Sequence, residues 1–571
     1  MIAKMTQYSF ILLHGDKENF LAGLQELGVV DITRATKPVD SYSQDLLDNI
    51  ETVRRDIECT EKGMDDTLAA LLAERDATLR EIEDIRPWGE YDRERLSAFG
   101  LHYYSVAAKK FDPAWQEQYA LQVVHEQDGT VWFVIVGDNA GFPLKALPAP
   151  AHTPADLQPL LDEQEQKIAA HRKILEERKQ SIPQMQHHIL SLETELDRYL
   201  AGTAAVPAAE NTIDTLVGFA PTENDAAVTE YLEREGVFYL KEEAKVEENP
   251  PIQFKNNKFV KMFEVLTDMY GRPAYDGFDP TPFIAVFFLL FFALCMGDAG
   301  YGLVLILVGL LLKKVDSFRS LAPLVTTLGV ATVVVGFFLH TFFSIDIAQW
   351  KCFAGIRGIF LPDEIAGYAG GMVLSLIVGV VHLCLAMIVK AVNAVRVNGF
   401  AASLGTLGWT LLIVGGVIVG GIALTGVMSA TVTKWVVIVL GVVAAIGIFP
   451  LNDPKRNKLA NVGLGVWDTY QMVTGLLGDV LSYLRLYALG LAGSMLGMAF
   501  NDMGKMVLGD GSNFILWIPF ILLVLIGHTL NIAMCALGAF VHPLRLNFLE
   551  FFKNSGYEAS GRKFNPLINN K

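Results

Sequence analysis

Arg485 stands midway along an apolar stretch, Tyr470–Phe500, inside the segment GDVLSYLRLYAL that runs from Gly478 to Leu489. A charged side chain is costly in hydrocarbon, and this one is too deep to reach either surface easily, so it is a functional candidate by default. On a helical wheel its face carries Gly478, Ser482, Ala488, Ala492 and Ala499. Small residues let another helix come close, which would set a fixed positive charge at the centre of a helix contact. The alternative is a permanent ion pair within the chain, with Asp298 or Asp479, that only holds a bundle together. Asp479 is six residues from Arg485, about 120° round a helix, so it is not a natural partner along the same face.

A second arginine, Arg545, follows His542, Pro543 and Leu544 late in the last apolar run. On its wheel His542, Gly538 and Asn531 share a face, a polar lining suited to a water-filled path. The competing reading is an interfacial anchor, because residues after Pro543 can already lie at the membrane surface. His340 and His382 are lone histidines in apolar runs and read as satisfied core residues. Asp298, in Gly297-Asp298-Ala299-Gly300, reads as a turn residue that caps the following helix or lines a cavity. No G-x-x-x-x-G-K-[ST] loop occurs; Gly504-Lys505-Met506 lacks the leading glycine spacing and the hydroxyl, so nucleotide chemistry belongs to another polypeptide. Cys59, Cys295, Cys352, Cys384 and Cys535 lie far apart with no paired spacing, so neither a disulfide framework nor a zinc site is legible, and no cofactor is expected.

The elements that must position these residues divide between two solvents. Hydrophobic residues make up 52% of the 571 and charged ones 19%, which argues against a purely soluble protein. Residues 281–571 hold 18 Lys and Arg against 12 Asp and Glu, leaving 28 against 50 for residues 1–280. So acidic a first half has no nucleic-acid character, and its expected partners are proteins. Apolar runs near 281–296, 301–313, 321–345, 367–389, 403–426, 434–451, 470–500 and 514–543 predict eight membrane helices in a domain covering 276–571. Basic residues follow the even-numbered runs: Lys313, Lys314 and Arg319, then Lys390 and Arg396, then Lys455, Arg456 and Lys458, then Lys553, Arg562, Lys563 and Lys571. The alternate loops hold only Lys351 with Arg357, Lys434 and Lys505. By the positive-inside rule, eight spans with both termini cytoplasmic fit every loop.

The first 275 residues read as a cytosolic arm. Residues 2–14 alternate as a strand, Asp16–Leu27 as an amphipathic helix ended by Gly28, and Val29–Ile32 as a second strand; Asp214–Leu240 reads strand, helix, strand. Those segments make one α/β lobe from 1–40 with 202–248, and a β-rich stretch, with Leu121–His125 and Thr130–Val136, makes another over 90–150. Between the lobes, Ile50, Ile57, Met64 and Leu71 recur every seven residues, as do Leu161, Ile168, Leu175, Ile182, Ile189 and Leu196. The spacing predicts coiled-coil helices over 41–86 and 153–201, antiparallel to each other, with Pro183 bending the second. A neck over 249–275 leads to the membrane. The N-terminus lacks the apolar core and cleavage site of a signal peptide. The fold class is thus mainly α: two α/β lobes joined by a long antiparallel coiled coil, then an eight-span helical domain.

Four segments of this chain resemble the signature segments of one family. They are Gly478–Leu489 (GDVLSYLRLYAL), Asp279–Gly302 (DPTPFIAVFFLLFFALCMGDAGYG), Phe254–Tyr270 (FKNNKFVKMFEVLTDMY) and His542–Leu546 (HPLRL). The family is the V/A-type ATPase membrane stator subunit, called subunit a or subunit I, and the opening 32 residues are similar to its N-terminus as well. The resemblance implies an arm that binds peripheral-stalk subunits and a membrane domain whose last two long helices face a ring of small hydrophobic rotor subunits of the c type. Nucleotide-binding catalytic subunits belong to the same complex, and this chain is its non-catalytic part. Arg485 aligns with the family's essential arginine and Arg545 with its second one. Eukaryotic relatives carry a glutamate where this chain has Cys535 and a histidine where it has Gly493, so their exit-path residues do not transfer.

The implied mechanism is ion translocation. A rotor carboxylate must be neutral, protonated or sodium-loaded, to cross lipid, and beside Arg485 its ionised form is stabilised so that it releases its cation into an aqueous half-channel. Asp479, Ser482, His542, Asn531, His528 and Asp298 are the candidate half-channel residues. The expected location is a bacterial or archaeal plasma membrane. The rival reading is a self-contained secondary transporter or channel with an acidic regulatory arm, which internal repeats would favour; none is evident between spans 1–4 and 5–8.

Overall fold

Alternation of apolar and polar residues makes Met5–Leu13 a strand, β1, in the computed structural model. The structure describes residues 1–569 except 36, 93–94, 97–98, 140, 211, 316–317, 351–354, 356–357, 359, 363, 366, 425, 427, 451–457 and 510–513. Lys351, Cys352, Arg357, Lys455, Arg456 and Lys571 lie outside the described residues. The further elements of the soluble part are α1 (Lys17–Leu27), β2 (Asp31–Ile32), α2 (Ser41–Lys62), α3 (Asp66–Ile85), β3 (Leu101–Ala107), β4 (Leu121–Gln127), β5 (Thr130–Val136), α4 (Pro154–Lys179), α5 (Ile182–Thr203), β6 (Val206–Ala208), β7 (Ile213–Pro221), α6 (Asp225–Glu235) and β8 (Phe238–Glu243).

The chain forms two compact units. One comprises Leu12–Gly28, Thr33–Leu216 and Leu567–Lys571. Within it, α2 packs on α5 through Ile50, Ile57 and Ile189, and α3 packs on α4 through Leu68, Ile168 and Leu175. The chain directions are opposed, since Tyr42 at the start of α2 meets Tyr199 near the end of α5 with ring centroids 4.8 Å apart. Neither heptad seam is continuous. Gly63, at φ +63°, ends α2, and Met64, a seam position by spacing, is 45% exposed in the break. The second seam breaks at Gln180 and Ser181, and Pro183 falls in the first turn of α5, where its missing N–H has no helical partner to lose. At the far end β3–β5–β4 form an antiparallel sheet over a core of Tyr104, Val131, Phe133 and Ile135.

Asp65 pins the α3–α4 pair. It caps α3 by accepting from the Leu68 N–H at 2.8 Å, and both carboxylate oxygens lie 2.9 Å from His171 Nε2 on α4. Burial pushes its carboxyl up, but the bonds from Leu68 and His171 outweigh this and hold it below the usual range. A depressed folded value means the stabilisation is complete above about pH 4 and is lost as pH falls through the folded pKa. Losing an N-cap acid costs about 0.5–2 kcal/mol. Asp65→Ala should therefore speed amide hydrogen exchange in Asp66–Ile85 on the order of tenfold, and wild-type protection there should fall below about pH 4. Unchanged protection in the variant would show that the contact holds nothing.

The other unit comprises Met1–Ile11, Val29–Ile32 and Val217–Pro566. Its strands run in the order β2–β7–β1–β8, and the Tyr8 hydroxyl donates to Asp225 on α6 at 2.7 Å. The apolar half supplies α7 (Thr281–Met296), α8 (Ala299–Leu312), α9 (Ala322–Phe338), α10 (Gly370–Asn398), α11 (Leu404–Leu424), α12 (Ala430–Ile448), α13 (Lys458–Leu508) and α14 (Trp517–Arg545). Among the described residues, five helical stretches are long and apolar enough to cross a bilayer: Gly370–Asn398, Ala401–Leu424, Ala430–Ile448, Asn461–Leu508 and Phe514–Ser555. Thr281–Met296, Ala299–Leu312 and Ala322–Phe338 are shorter apolar helices. Exposed residues such as Trp435, Val439, Leu525 and Leu537 need lipid around them, and the chain is a membrane protein.

Helix bounds depart from the apolar runs for physical reasons. The run 321–345 stops as helix at Phe338, because the chain turns through His340, Phe343 and Ser344, all at positive φ. Helix α10 instead continues past the run to Asn398, since Lys390, Asn393 and Arg396 are helix-compatible once outside hydrocarbon. The last helix does not end at Pro543. It passes into a π-helical turn, Leu546–Phe551, and on to Ser555, with the Asn547 side chain donating to the Pro543 carbonyl at 2.8 Å. The chain then returns along the neck: Ala274 N–H bonds the Glu558 carbonyl, Gly561 N–H the Arg272 carbonyl, and Ile252 N–H the Arg562 carbonyl.

Candidate functional site

Helix α13 is 51 residues long, about 76 Å at 1.5 Å per residue, and Arg485 lies near its midpoint. One side of it is packed. Tyr483 and Leu486 are fully buried, and a Cβ on Gly490 would sit 2.9 Å from the Leu294 carbonyl oxygen. The other side carries Gly478, Leu481, Ala488, Ala492, Met495 and Ala499, all exposed. Arg485 is partly buried at the edge of that open face. Among the described residues no hydrogen bond or ion pair engages Arg485 or Arg545. Both positive charges are near enough to act on the ring of His542, whose Nδ1 is buried with no hydrogen-bond partner among the described residues.

Both acids that could have held Arg485 are engaged elsewhere. Asp298 caps α8, accepting from the N–H groups of Gly300 at 2.8 Å and Tyr301 at 3.2 Å. It also accepts from Phe343 at 2.8 Å and Ser344 at 2.6 Å, which fastens the α7–α8 turn to the hairpin beyond α9. Asp479 accepts from Asn554 Nδ2 at 2.8 Å and lies 3.5 Å from Lys553 Nζ.

Two strings of polar side chains approach Arg485 from opposite ends of α13. At the Asn501 end, His528 joins Asn501 Oδ1 at 3.0 Å to the Tyr301 hydroxyl at 2.8 Å. Asn531 Nδ2 donates to that hydroxyl and to the Gly493 carbonyl, each at 2.8 Å, and Cys535 Sγ donates to Asn531 Oδ1 at 3.3 Å. At the Asp479 end, Asn554 bridges Asp479 to the Glu550 carbonyl, 2.7 Å away, and Ser482 stands against the Glu550 carboxylate. Asp479, Ser482, His542, Asn531 and His528 thus take part in these strings or flank the arginines, while Asp298 spends its lone pairs on backbone.

Tyr301, Asn501, Glu550 and Asn554 escaped the sequence reading. Buried tyrosines keep a polar tip that seeks a partner, a signal Tyr301 gave; Glu550 was hidden by taking Pro543 as the helix end. His382, read as a satisfied core histidine, is so at one ring nitrogen only: its Nδ1 is 2.9 Å from the Tyr483 hydroxyl and its ring stacks on Phe551 with centroids 4.9 Å apart, while its buried Nε2 has no hydrogen-bond partner among the described residues. Cys535 and Gly493, the two positions that depart from the resemblance, touch each other. A Cβ on Gly493 would lie 2.5 Å from Cys535 Sγ, so a larger side chain at 493 has no room here.

Comparison with known proteins bears on this geometry. The V-type ATPase 116kDa subunit family matches residues 151–319 and 466–568, which include both arginines and both polar strings' contributions from α13 and α14. The chain is similar to this family over those two stretches, which together make up under half of its length. The A-type ATP synthase subunit I of Methanocaldococcus jannaschii is 35% identical over 353 residues, 57% of this chain and 50% of that protein. The A-type ATP synthase subunit I of Pyrococcus abyssi is 32% identical over 365 residues, 62% of this chain and 53% of its own length. The chain spans about half the length of these two relatives. The V-type ATP synthase subunit I 1 of Treponema pallidum is 27% identical over 539 residues, 87% of this chain and 84% of its own.

Proposed function

We propose that this chain is the ion-translocating stator subunit of a rotary V/A-type ATPase or ATP synthase. The observation that carries the reading is Arg485: a guanidinium with no hydrogen bond or ion pair among the described residues, halfway along a membrane helix, beside an open face of small and apolar residues. A bare charge there is costly, and its natural counterpart is a carboxylate brought in by another subunit, here a ring of small hydrophobic rotor subunits running against α13 and α14. Beside Arg485 the ionised rotor carboxylate is stabilised and gives up its proton or sodium ion; away from it the carboxylate reloads. The two polar strings supply the half-channels, and the fixed charge between them blocks direct leakage. Nucleotide hydrolysis or synthesis takes place on partner catalytic subunits. The acidic first 275 residues serve as a coiled-coil arm that binds peripheral-stalk subunits and keeps the membrane unit from turning with the rotor.

Gentle isolation from the native membrane tests the assignment. Co-purification with a small hydrophobic ring protein and nucleotide-binding subunits is expected; a transport-competent single chain would overturn it. The eight-span arrangement, with the three short apolar helices crossing as well, places both termini in the cytoplasm. A cysteine at the exposed position Ser320 should then react with a membrane-impermeant reagent only from the cytoplasmic side, and one at Met506 only from outside. Reaction of both from one side would refute that topology.

A further inference from the structure

We propose that Glu550 is a proton relay on the neck side of Arg485, a role that rests on the stator reading above and names the ion as a proton. Its residue is only 4% exposed, and Oε2 has no hydrogen-bond partner among the described residues. An ionised carboxylate buried in that way is expensive, and a satisfied structural one would have both oxygens bonded. Glu550 sits in the π-helical turn Leu546–Phe551, an interruption frequent at functional sites. The turn directs it to α13, where Ser482 stands against it one turn before Arg485.

Water reaches the outer end of the same string. Lys553 Nζ, with a side chain 61% exposed, lies 3.5 Å from Asp479 Oδ1, whose side chain is 13% exposed. The sequence of groups is therefore exposed Lys553, then the largely buried Asp479, beside the carboxylate of Glu550, whose backbone carbonyl Asn554 ties to Asp479, then Ser482 and Arg485. The charged and titratable groups facing Glu550 are Asp479 and Tyr483 from α13 and Arg545 from its own helix. From α10, His382 is turned to Tyr483 and Phe551. Transfer needs no other reagent. The carboxylic acid of Glu550 gives its proton to an ionised rotor carboxylate, leaving Glu550 as the anion. The anion then takes a proton from a hydronium ion in the water at Asp479, releasing a water molecule. In the opposite direction both transfers reverse.

The test compares assembled complexes in vesicles. Glu550→Gln keeps size and hydrogen bonding but carries no exchangeable acid proton, and it should slow ATP-driven proton uptake by roughly tenfold to hundredfold at wild-type assembly. Glu550→Asp should recover part of the rate with its pH profile displaced on the neck-facing side only. Arg485→Lys is measured in parallel. If Arg485→Lys is inactive while Glu550→Gln pumps like wild type, the relay is overturned and the stator reading stands; if Arg485→Lys also pumps normally, the stator reading itself falls. Should Glu550→Gln fail to assemble, an unshifted pH profile in Glu550→Asp overturns the relay. Failure of both to assemble makes Glu550 a structural residue and overturns it equally.

Discussion

Asp298→Ala is expected to abolish recovery of folded protein from the membrane. The carboxylate collects the N–H groups of Gly300, Tyr301, Phe343 and Ser344 at 2.6–3.2 Å, in a site where Asp298 is 4% exposed. Gly300 and Tyr301 open a helix and have no earlier carbonyl to use. Phe343 and Ser344 adopt positive φ and are held there by the same oxygens. Each buried donor left unpaired costs about 1–3 kcal/mol, so losing several at once removes much of a stability that totals roughly 5–15 kcal/mol. Asp298→Asn keeps one acceptor oxygen and should be milder. The measurement is the yield of monodisperse protein in detergent and its thermal midpoint; wild-type values for Asp298→Ala would show that the knot is dispensable.

Arg485 should behave in the opposite way. With no partner in the described part of the chain, its removal orphans nothing, and taking an unpaired charge out of a membrane helix relieves a desolvation cost. Arg485→Ala should therefore melt at or slightly above the wild-type temperature. Arg485→Lys keeps a positive charge but replaces a planar, always-charged group with a point charge that loses its proton readily when buried. If a carboxylate facing Arg485 draws several kcal/mol from it, and each 1.4 kcal/mol is tenfold in rate, either variant should slow ion transfer by on the order of a hundredfold or more. A drop in thermal midpoint of many degrees in Arg485→Ala would instead mark a structural ion pair.

What the sequence made legible follows from how local each feature is. A single charge inside an apolar run is visible by itself, so Arg485 and its small-residue face needed no structure to find. Asp298 as a helix cap was equally local, written in its glycine flanks. Its bonds to Phe343 and Ser344, 45 and 46 residues away, come from tertiary packing and leave no pattern. Spacing exposed the heptads of the arm but not their breaks, because a seven-residue count steps over Gly63 and Ser181 without noticing the backbone there. Glu550 was missed for a related reason. Pro543 is a sound helix-end signal, but here a π turn carries the helix onward, with the Asn547 side chain donating to the Pro543 carbonyl, bringing a carboxylate back to α13.

The account turns on Arg485 as the charge that unloads a partner's carboxylate, and ATP-driven ion uptake into vesicles, normalised to assembled complex, tests it most directly. Arg485→Lys and Arg485→Ala should assemble as wild type does and show no coupled uptake. Uptake at the wild-type rate by either variant, at wild-type assembly, would contradict it.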